Sequence, residues 1–284
     1  MDPTEEARFE RQIRLFGKRG QNKIGRTKIA ILGLGGVGSH IAQQLAYLGI
    51  KDFVLVDGDI VKDHNLNRLV GADFSDIGAL KTEVAKKMIS RITPAANVSV
   101  KNCFLPDNTI EKKVADVDII FGAFDNDYPR LLTTDFASKL HKIYIDSATG
   151  VEEIEGQPLI YGGRVIVSGE SRGCLFCLNE LDQREIHRAQ MDDTALKIEA
   201  KIYGIPLKEL RKASPSVITI NGVISSLACT EALAIITGLR TANKFLDYRA
   251  ESLTGYREKS ATVVKKVNRS ISDTCPYCYA WGLI

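Results

Sequence analysis

Two groups of residues have types and spacings suited to chemistry. The first is Gly33-Leu34-Gly35-Gly36-Val37-Gly38, with Asp57 nineteen residues further on. Glycine lets a turn tighten and lets backbone N–H groups approach a phosphate at a helix N-terminus. An acid about twenty residues downstream suits a ribose hydroxyl. Taken alone, the pattern favours an NAD-dependent oxidoreductase over other nucleotide enzymes. The second group is Cys174-Leu-Phe-Cys177 with Cys275-Pro-Tyr-Cys278. Two C-x-x-C pairs suit a tetrahedral four-thiolate zinc better than disulfides or redox dithiols. A closed four-sulfur site leaves no position for water, so such a metal is structural and pins the carboxy-terminal tail to the middle of the chain. The remaining cysteines, Cys103 and Cys229, lie in apolar-periodic surroundings and read as buried packing residues.

Further polar groups follow the glycine stretch. In the loop from Asp57 through Asp59 to Arg68, the Arg68 guanidinium can hold phosphate oxygens in a planar fork and Asn65 can donate an amide hydrogen bond. Lys81 sits at the margin of a helical stripe, where it either snorkels or serves as a point charge for phosphate. Asp125 can ligate Mg²⁺, which commonly takes one or two carboxylates plus substrate phosphates; with Asn126, it can equally cap the next helix.

These groups need a scaffold. Lys28–Leu32 is an apolar run, Ile41, Leu45 and Leu48 recur at helical spacing, Gly49 ends that helix, and Phe53–Val56 is short and apolar. The pattern predicts strand, glycine turn, helix, buried parallel strand. A helix from Lys81 to about Arg91 carries Leu80, Val84 and Met88 as its stripe, with Glu83 and Lys87 as a surface pair. Strands are predicted at Asn97–Cys103, Val117–Phe124 and Lys142–Asp146, with a helix on Leu131, Leu132, Phe136 and Leu140. The alternation implies an α/β, Rossmann-like, mostly parallel sheet with helices on both faces. At the amino end, Asp2 and Glu5 are spaced as a capping box, Phe9, Ile13 and Phe16 share a face, and Arg8, Arg11 and Arg14 line another. Past Gly150 the runs Gln157–Tyr161 and Arg164–Val167 suggest an antiparallel extension. Residues 178–213 read as a charged helical excursion, Val217–Gly238 as a long apolar helix, and Phe245–Tyr248 and Ala261–Lys266 as short strands. This organisation predicts one domain over 1–284: an arm over 1–26, a nucleotide-binding part over 27–150, and a substrate-side extension with the zinc site over 151–284.

The 284 residues can bury a full core. Thirty-eight basic and 35 acidic residues are well mixed, giving +3, so no global field points to nucleic acid or a membrane. No run is read as a membrane span and the opening MDPTEEARFE lacks the apolar centre of a signal peptide; the expected compartment is the cytoplasm.

In order, Arg8-Phe9-Glu10-Arg11-Gln12, the glycine turn, Asp57-x-Asp59, Asn65-Leu-Asn-Arg68, Ile77-Gly78-x-x-Lys81, Asp125-Asn126 and the two cysteine pairs resemble the MoeB/ThiF/HesA adenylyltransferases, relatives of ubiquitin-activating enzymes. A dehydrogenase has no need of the later motifs. The resemblance implies ATP-dependent activation of a C-terminal carboxylate, usually the terminal glycine of a small ubiquitin-like or sulfur-carrier protein, giving an acyl-adenylate and pyrophosphate. It implies that Gly36 lies against the nucleotide, Asp57 holds the ribose, and Asn65, Arg68 and Lys81 hold phosphates. Asp125 then takes Mg²⁺ with Asn126 beside it, and Arg11 enters the site of a second subunit in a homodimer.

Two departures stand out. Leu69 occupies a position where many relatives carry glutamine. No cysteine lies between Cys177 and Cys229, where thioester- or persulfide-forming relatives place one; the corresponding segment is Leu210–Ser216. Covalent transfer through the enzyme is therefore not expected. A peptide or a tRNA-linked carboxylate as the activated group, and a non-catalytic nucleotide-binding scaffold, are the alternative readings.

Overall fold

The structure, a computed structural model, describes residues 3–152, 160–169, 172–203, 215–250, 264–266, 275 and 277. Asp2, Gln157–Leu159, Leu210–Ser214, Ala261–Val263 and Cys278 lie outside the described residues.

In chain order the elements are α1 (Pro3–Arg8), α2 (Glu10–Arg26), β1 (Lys28–Leu32), α3 (Gly36–Leu48), β2 (Asp52–Val56), α4 (Lys81–Ile92), β3 (Asn97–Lys101), α5 (Ile110–Val114), β4 (Ile119–Gly122), α6 (Asp127–Lys139), β5 (Ile143–Glu152), β6 (Ile160–Ser168), α7 (Gln183–Ala189), α8 (Asp193–Tyr203), α9 (Ile218–Thr237), β7 (Phe245–Arg249) and β8 (Val264–Lys266). The strands form one sheet in the order β3-β2-β1-β4-β5-β6-β7-β8. Pairings from β3 to β5 are parallel, and those from β5 to β8 antiparallel.

One face of the sheet buries Ile29, Ile31, Phe53, Leu55, Ile145 and Val165 against apolar residues of α2, α3, α4 and α9. The other buries Ala30, Leu32, Ile120, Tyr144 and Ile166 against α5, α6 and the segment from Leu175 to Ile186. Strands covered on both sides read as continuous apolar runs, which is why β1, β2 and β4 are so legible. Gly49 closes α3 in the left-handed region at φ 98°.

Several expectations shift. The arm is two helices rather than one, and α2 breaks at Gly17, with φ 69° and ψ 164°. Of the two runs expected past Gly150, the described end of the first, Ile160 and Tyr161, continues through Arg164–Val167 as one strand, β6. Gly162 and Gly163 do not turn the chain there; a Cβ would lie 2.0 Å from the Tyr248 carbonyl oxygen at Gly162 and 2.4 Å from that of Ala148 at Gly163. β5 continues past Asp146 to Glu152 and so crosses position 150. Lys87 pairs at 3.3 Å with Asp76 instead of Glu83. Cys229 is buried as expected, whereas Cys103 is only half-buried.

The reading that no run approaches a membrane span is also corrected. α9 has 20 residues with mean hydropathy 1.5, enough by length and composition. It packs instead on α3, β5, β6 and α2. Its buried polar groups are satisfied by protein: Asn221 bonds Ser216, Ser225 donates to the Val37 carbonyl, and Glu231 accepts from Arg240 and Asn243. Such bonds make it the core helix of this sheet.

Candidate functional site

A cavity of about 510 Å³ opens at the carboxyl ends of β1, β2 and β4. Here β1 is flanked by β2 on one side and β4 on the other, so this is the switch point at which open α/β sheets bind ligands. The size lies in the range of small-molecule sites.

The glycines of the first turn have distinct jobs. Gly33 has φ 87°, and a Cβ there would be 2.5 Å from the Ala123 carbonyl oxygen; at Gly38 it would be 1.9 Å from the Gly33 oxygen. Both are demanded by close backbone packing. At Gly35 an added Cβ meets nothing within 4 Å, and Gly35 lines the cavity. Backbone N–H groups at the start of α3 thereby stay open to a ligand. Gly36 also lines the cavity, but a Cβ would lie 2.2 Å from Asn221 Nδ2, so packing as well as ligand approach requires glycine there.

Asp57 follows β2 and accepts from the backbone N–H of Leu34 at 2.6 Å and of Asp59 at 2.7 Å. Burial pushes its carboxyl up; Lys81 and the two N–H bonds oppose that, and the Asp59 carboxylate adds to it. Asp59 holds Lys81 Nζ at 2.6 Å. Lys81 begins α4 and is buried, so its ammonium is a positioned charge at the cavity wall rather than a snorkelling one. Asn65 is buried in a short 3₁₀ turn, its Oδ1 accepting from Lys62 N–H at 3.0 Å. Arg68 Nη1 donates to the His64 carbonyl at 2.8 Å and to Asn67 at 3.0 Å, which braces the guanidinium beside the cavity. Leu69 packs with Val61 and Val84, an apolar wall where glutamine would add a polar group.

Asp125 is exposed and lines the cavity. The capping role falls to Asn126, whose Oδ1 accepts from Tyr128 N–H at 3.2 Å, so the cap does not engage the Asp125 carboxylate. Of the sequence candidates for the nucleotide, the cavity gathers Gly33, Gly35, Gly36, Asp57, Asp59, Asn65, Arg68, Lys81, Asp125 and Asn126. Gly38 lies behind the turn, and Arg11 is exposed on α2 outside the cavity lining. The three arginines of the amino-terminal row differ in their partners within the chain. Arg8 donates to the Ile92 carbonyl at 2.7 Å and Arg14 pairs with Glu10.

Other residues at the site escaped the sequence reading. Arg130 is buried under the Asp125 loop, bonding Asp127 at 2.7 Å and the Phe124 carbonyl, with Asp146 3.4 Å away. Those two carboxylates outweigh burial and hold the guanidinium pKa up. Asp127 also accepts from Asp182 N–H at 2.7 Å, tying α7 to the loop. A charge beside the apolar stripe of α6 was the available signal. Ser147, Thr149 and Ser216 line the far end of the cavity; Ser147 and Thr149 share a strand face with Ile145, a period-two pattern visible only once β5 is known to extend.

Of the proposed zinc ligands, Cys174, Cys177 and Cys275 have sulfurs within 4.8 Å of one another. Cys174 and Cys275 sulfurs are 3.5 Å apart, and Cys174 N–H points at Cys177 Sγ at 3.1 Å. Soft thiolates at this separation fit a tetrahedral metal with Zn–S bonds of about 2.3 Å.

Comparison with known proteins gives a consistent result. The chain is 35% identical over 146 residues to a probable molybdopterin-synthase adenylyltransferase of Porphyra purpurea, covering 51% of this chain and 37% of that one. It is 26% identical over 242 residues to the molybdopterin-synthase adenylyltransferase of Escherichia coli, covering 84% and 85%. It is 33% identical over 124 residues to the tRNA threonylcarbamoyladenosine dehydratase of Escherichia coli, covering 43% and 46%. The chain thus spans only part of several curated relatives it matches. Among solved structures, E. coli MccB with ATP superposes with a TM-score of 0.70 at 21% identity, covering 95% of this chain and 74% of that one, a likeness of fold. The sequence pattern of the ThiF family matches residues 9–271. The chain belongs to the ThiF family.

Proposed function

We propose that the protein is an adenylyltransferase that activates a C-terminal carboxylate with ATP. The carboxylate displaces pyrophosphate from the α-phosphorus, so that R–COO⁻ and ATP become R–CO–AMP and pyrophosphate. The observation that carries this reading is one cavity lined by the glycine turn after β1, by Arg68 and Lys81, and by Asp57 and Asp125, which follow β2 and β4, the strands on either side of β1. The turn and the start of α3 cradle phosphates, Asp57 holds the ribose, and Asn65, Arg68 and Lys81 hold the triphosphate in line and screen developing charge. Asp125, with Asn126 beside it, is the ligand for Mg²⁺, which would supply charge neutralisation on the phosphates. The favoured substrate is the terminal glycine of a small ubiquitin-like or sulfur-carrier protein, as the family resemblance implies; a peptide or tRNA-linked carboxylate is the competing substrate. With no cysteine between Cys177 and Cys229, the acyl-adenylate goes to an external nucleophile. A single-domain homodimer with shared sites, a structural zinc and a cytoplasmic location complete the proposal.

Calorimetry with MgATP and with NAD tests the nucleotide: MgATP alone should bind, and Asp125→Ala should weaken it. NAD binding without ATP binding would return the chain to the oxidoreductases. Pyrophosphate exchange with Gly-Gly-terminated carrier proteins, peptides and tRNA then sorts the substrate classes. Lys81→Ala and Arg68→Ala should each lower exchange by ~10²-fold. Lys81→Ala removes only a pair with the solvent-accessible Asp59, so the fold should persist. Undiminished exchange in both variants would remove this mechanism.

A further inference from the structure

The nucleotide reading uses one end of the cavity. The other is lined by Ser147, Thr149 and Ser216 with Tyr128, Pro129 and Pro215. Its hydroxyls stand on β5 and just before α9, whereas Asp57 and Asp59 follow β2 at the first end. Ser147 is 1% exposed, and its Oγ has no hydrogen-bond partner among the described residues. A buried hydroxyl left unpaired costs about 1–3 kcal/mol, so its retention calls for a ligand.

A second, independent feature meets it there. Pro215 and Ser216 lead directly into α9, whose N-cap Val217 supplies no side-chain cap. Within the helix, the first backbone bond runs from Asn221 N–H to the Val217 carbonyl, so the N–H groups of the first turn have no intrahelical acceptor. They carry the positive end of a 20-residue helix. Asn221, fully buried, connects this end to the glycine turn: its Oδ1 accepts from Thr149 at 3.3 Å, its Nδ2 donates to Ser216 at 3.1 Å, and the same Nδ2 abuts Gly36.

We propose that Ser147, Ser216 and the uncapped start of α9 form the subsite for the incoming acyl group, binding the carboxylate of the incoming terminus beside the α-phosphate. The proposal rests on the nucleotide reading above. The ligand chemistry is anionic, since the unengaged Ser147 hydroxyl and the helix N–H groups both donate. One carboxylate oxygen takes the Ser147 hydroxyl as the other turns toward the phosphate cradle. Ser147 is a positioning residue for the substrate.

The test uses the full chain with two probes, AMP and the glycylglycyl sulfamoyl-adenosine, a stable acyl-adenylate mimic that keeps the acyl carbonyl. Titration calorimetry should show the mimic binding at least ~10-fold tighter than AMP, and Ser147→Ala should erase ~10-fold of that advantage while leaving AMP affinity unchanged. Ser216→Ala should act in the same direction. Because Ser147→Ala deletes an unpaired hydroxyl, its melting temperature should hold or rise, so lost affinity is not lost folding. Equal affinities for the two probes in the unsubstituted protein, or an advantage that neither variant moves, overturns the subsite while the nucleotide reading stands. Failure of AMP and MgATP to bind would overturn the nucleotide reading, and the subsite with it.

Discussion

Alanine at Gly35 and alanine at Gly38, three residues apart in one turn, should fail in opposite ways. At Gly38 the new Cβ would sit 1.9 Å from the Gly33 carbonyl oxygen and 2.9 Å from its carbon. Both are backbone atoms, so no side chain can swing aside, and α3 must move off β1. Overpacking of this kind costs about 3 kcal/mol or more. For 284 residues the unfolding entropy is about 0.6 kcal/mol per kelvin, so the melting temperature should fall by about 5 °C or more. At Gly35 the Cβ meets nothing within 4 Å and φ is −75°, so there is neither clash nor left-handed strain. Restricting the unfolded chain gains about 0.4–1 kcal/mol, and a poorer residue at the start of α3 loses a similar amount. Stability should therefore stay within about 2 °C of the parent. Its methyl instead occupies cavity space where phosphate would meet the turn. Losing two charge-assisted N–H contacts at about 1.5 kcal/mol each weakens MgATP by ~10²-fold. Thermal melts and MgATP calorimetry on both proteins decide the matter. A Gly35→Ala protein that binds MgATP within about threefold of the parent, or a Gly38→Ala protein with an unchanged melt, would refute the division of labour.

Other tests reach further from the turn. Elemental analysis should find one zinc per chain, and Cys174→Ser should destabilise the protein without selectively abolishing adenylation; a stable, zinc-free protein would exclude the metal. If Arg11 serves a neighbouring subunit, verified mixed dimers of Arg11→Ala and Lys81→Ala chains should recover part of the exchange activity, and no recovery would argue against shared sites. Burial would raise the Glu231 carboxyl, but hydrogen bonds from Arg240 and Asn243 outweigh it and hold it below the ordinary 4.5. A depressed carboxyl contributes stability that is present above its unfolded pKa and lost as pH falls through the folded one. Glu231→Gln should thus cost about 2 kcal/mol in urea melts near pH 7, and the deficit should shrink below pH 4.5; a pH-independent deficit would contradict this.

Much of this protein was legible along the chain. β1, α3 and β2 follow from local rules, since a strand buried on both faces must be an apolar run and a left-handed helix end favours glycine, as at Gly49. The motif order from Gly33 to Asn126 likewise named residues that one cavity gathers, because Gly33, Asp57 and Asp125 follow the carboxyl ends of β1, β2 and β4. Only the tertiary structure decided what lies between elements distant in sequence. It separated Gly35, which opens to the cavity, from Gly33 and Gly38, which face backbone, and turned Gly162-Gly163 from a break into the middle of a sheet. It also brought Ser147 of β5, Ser216 before α9 and Gly36 of α3 to a single cavity. Local pattern reports which face of its own element a residue occupies; what stands opposite that face is set by how the sheet is ordered and how α9 lies across it.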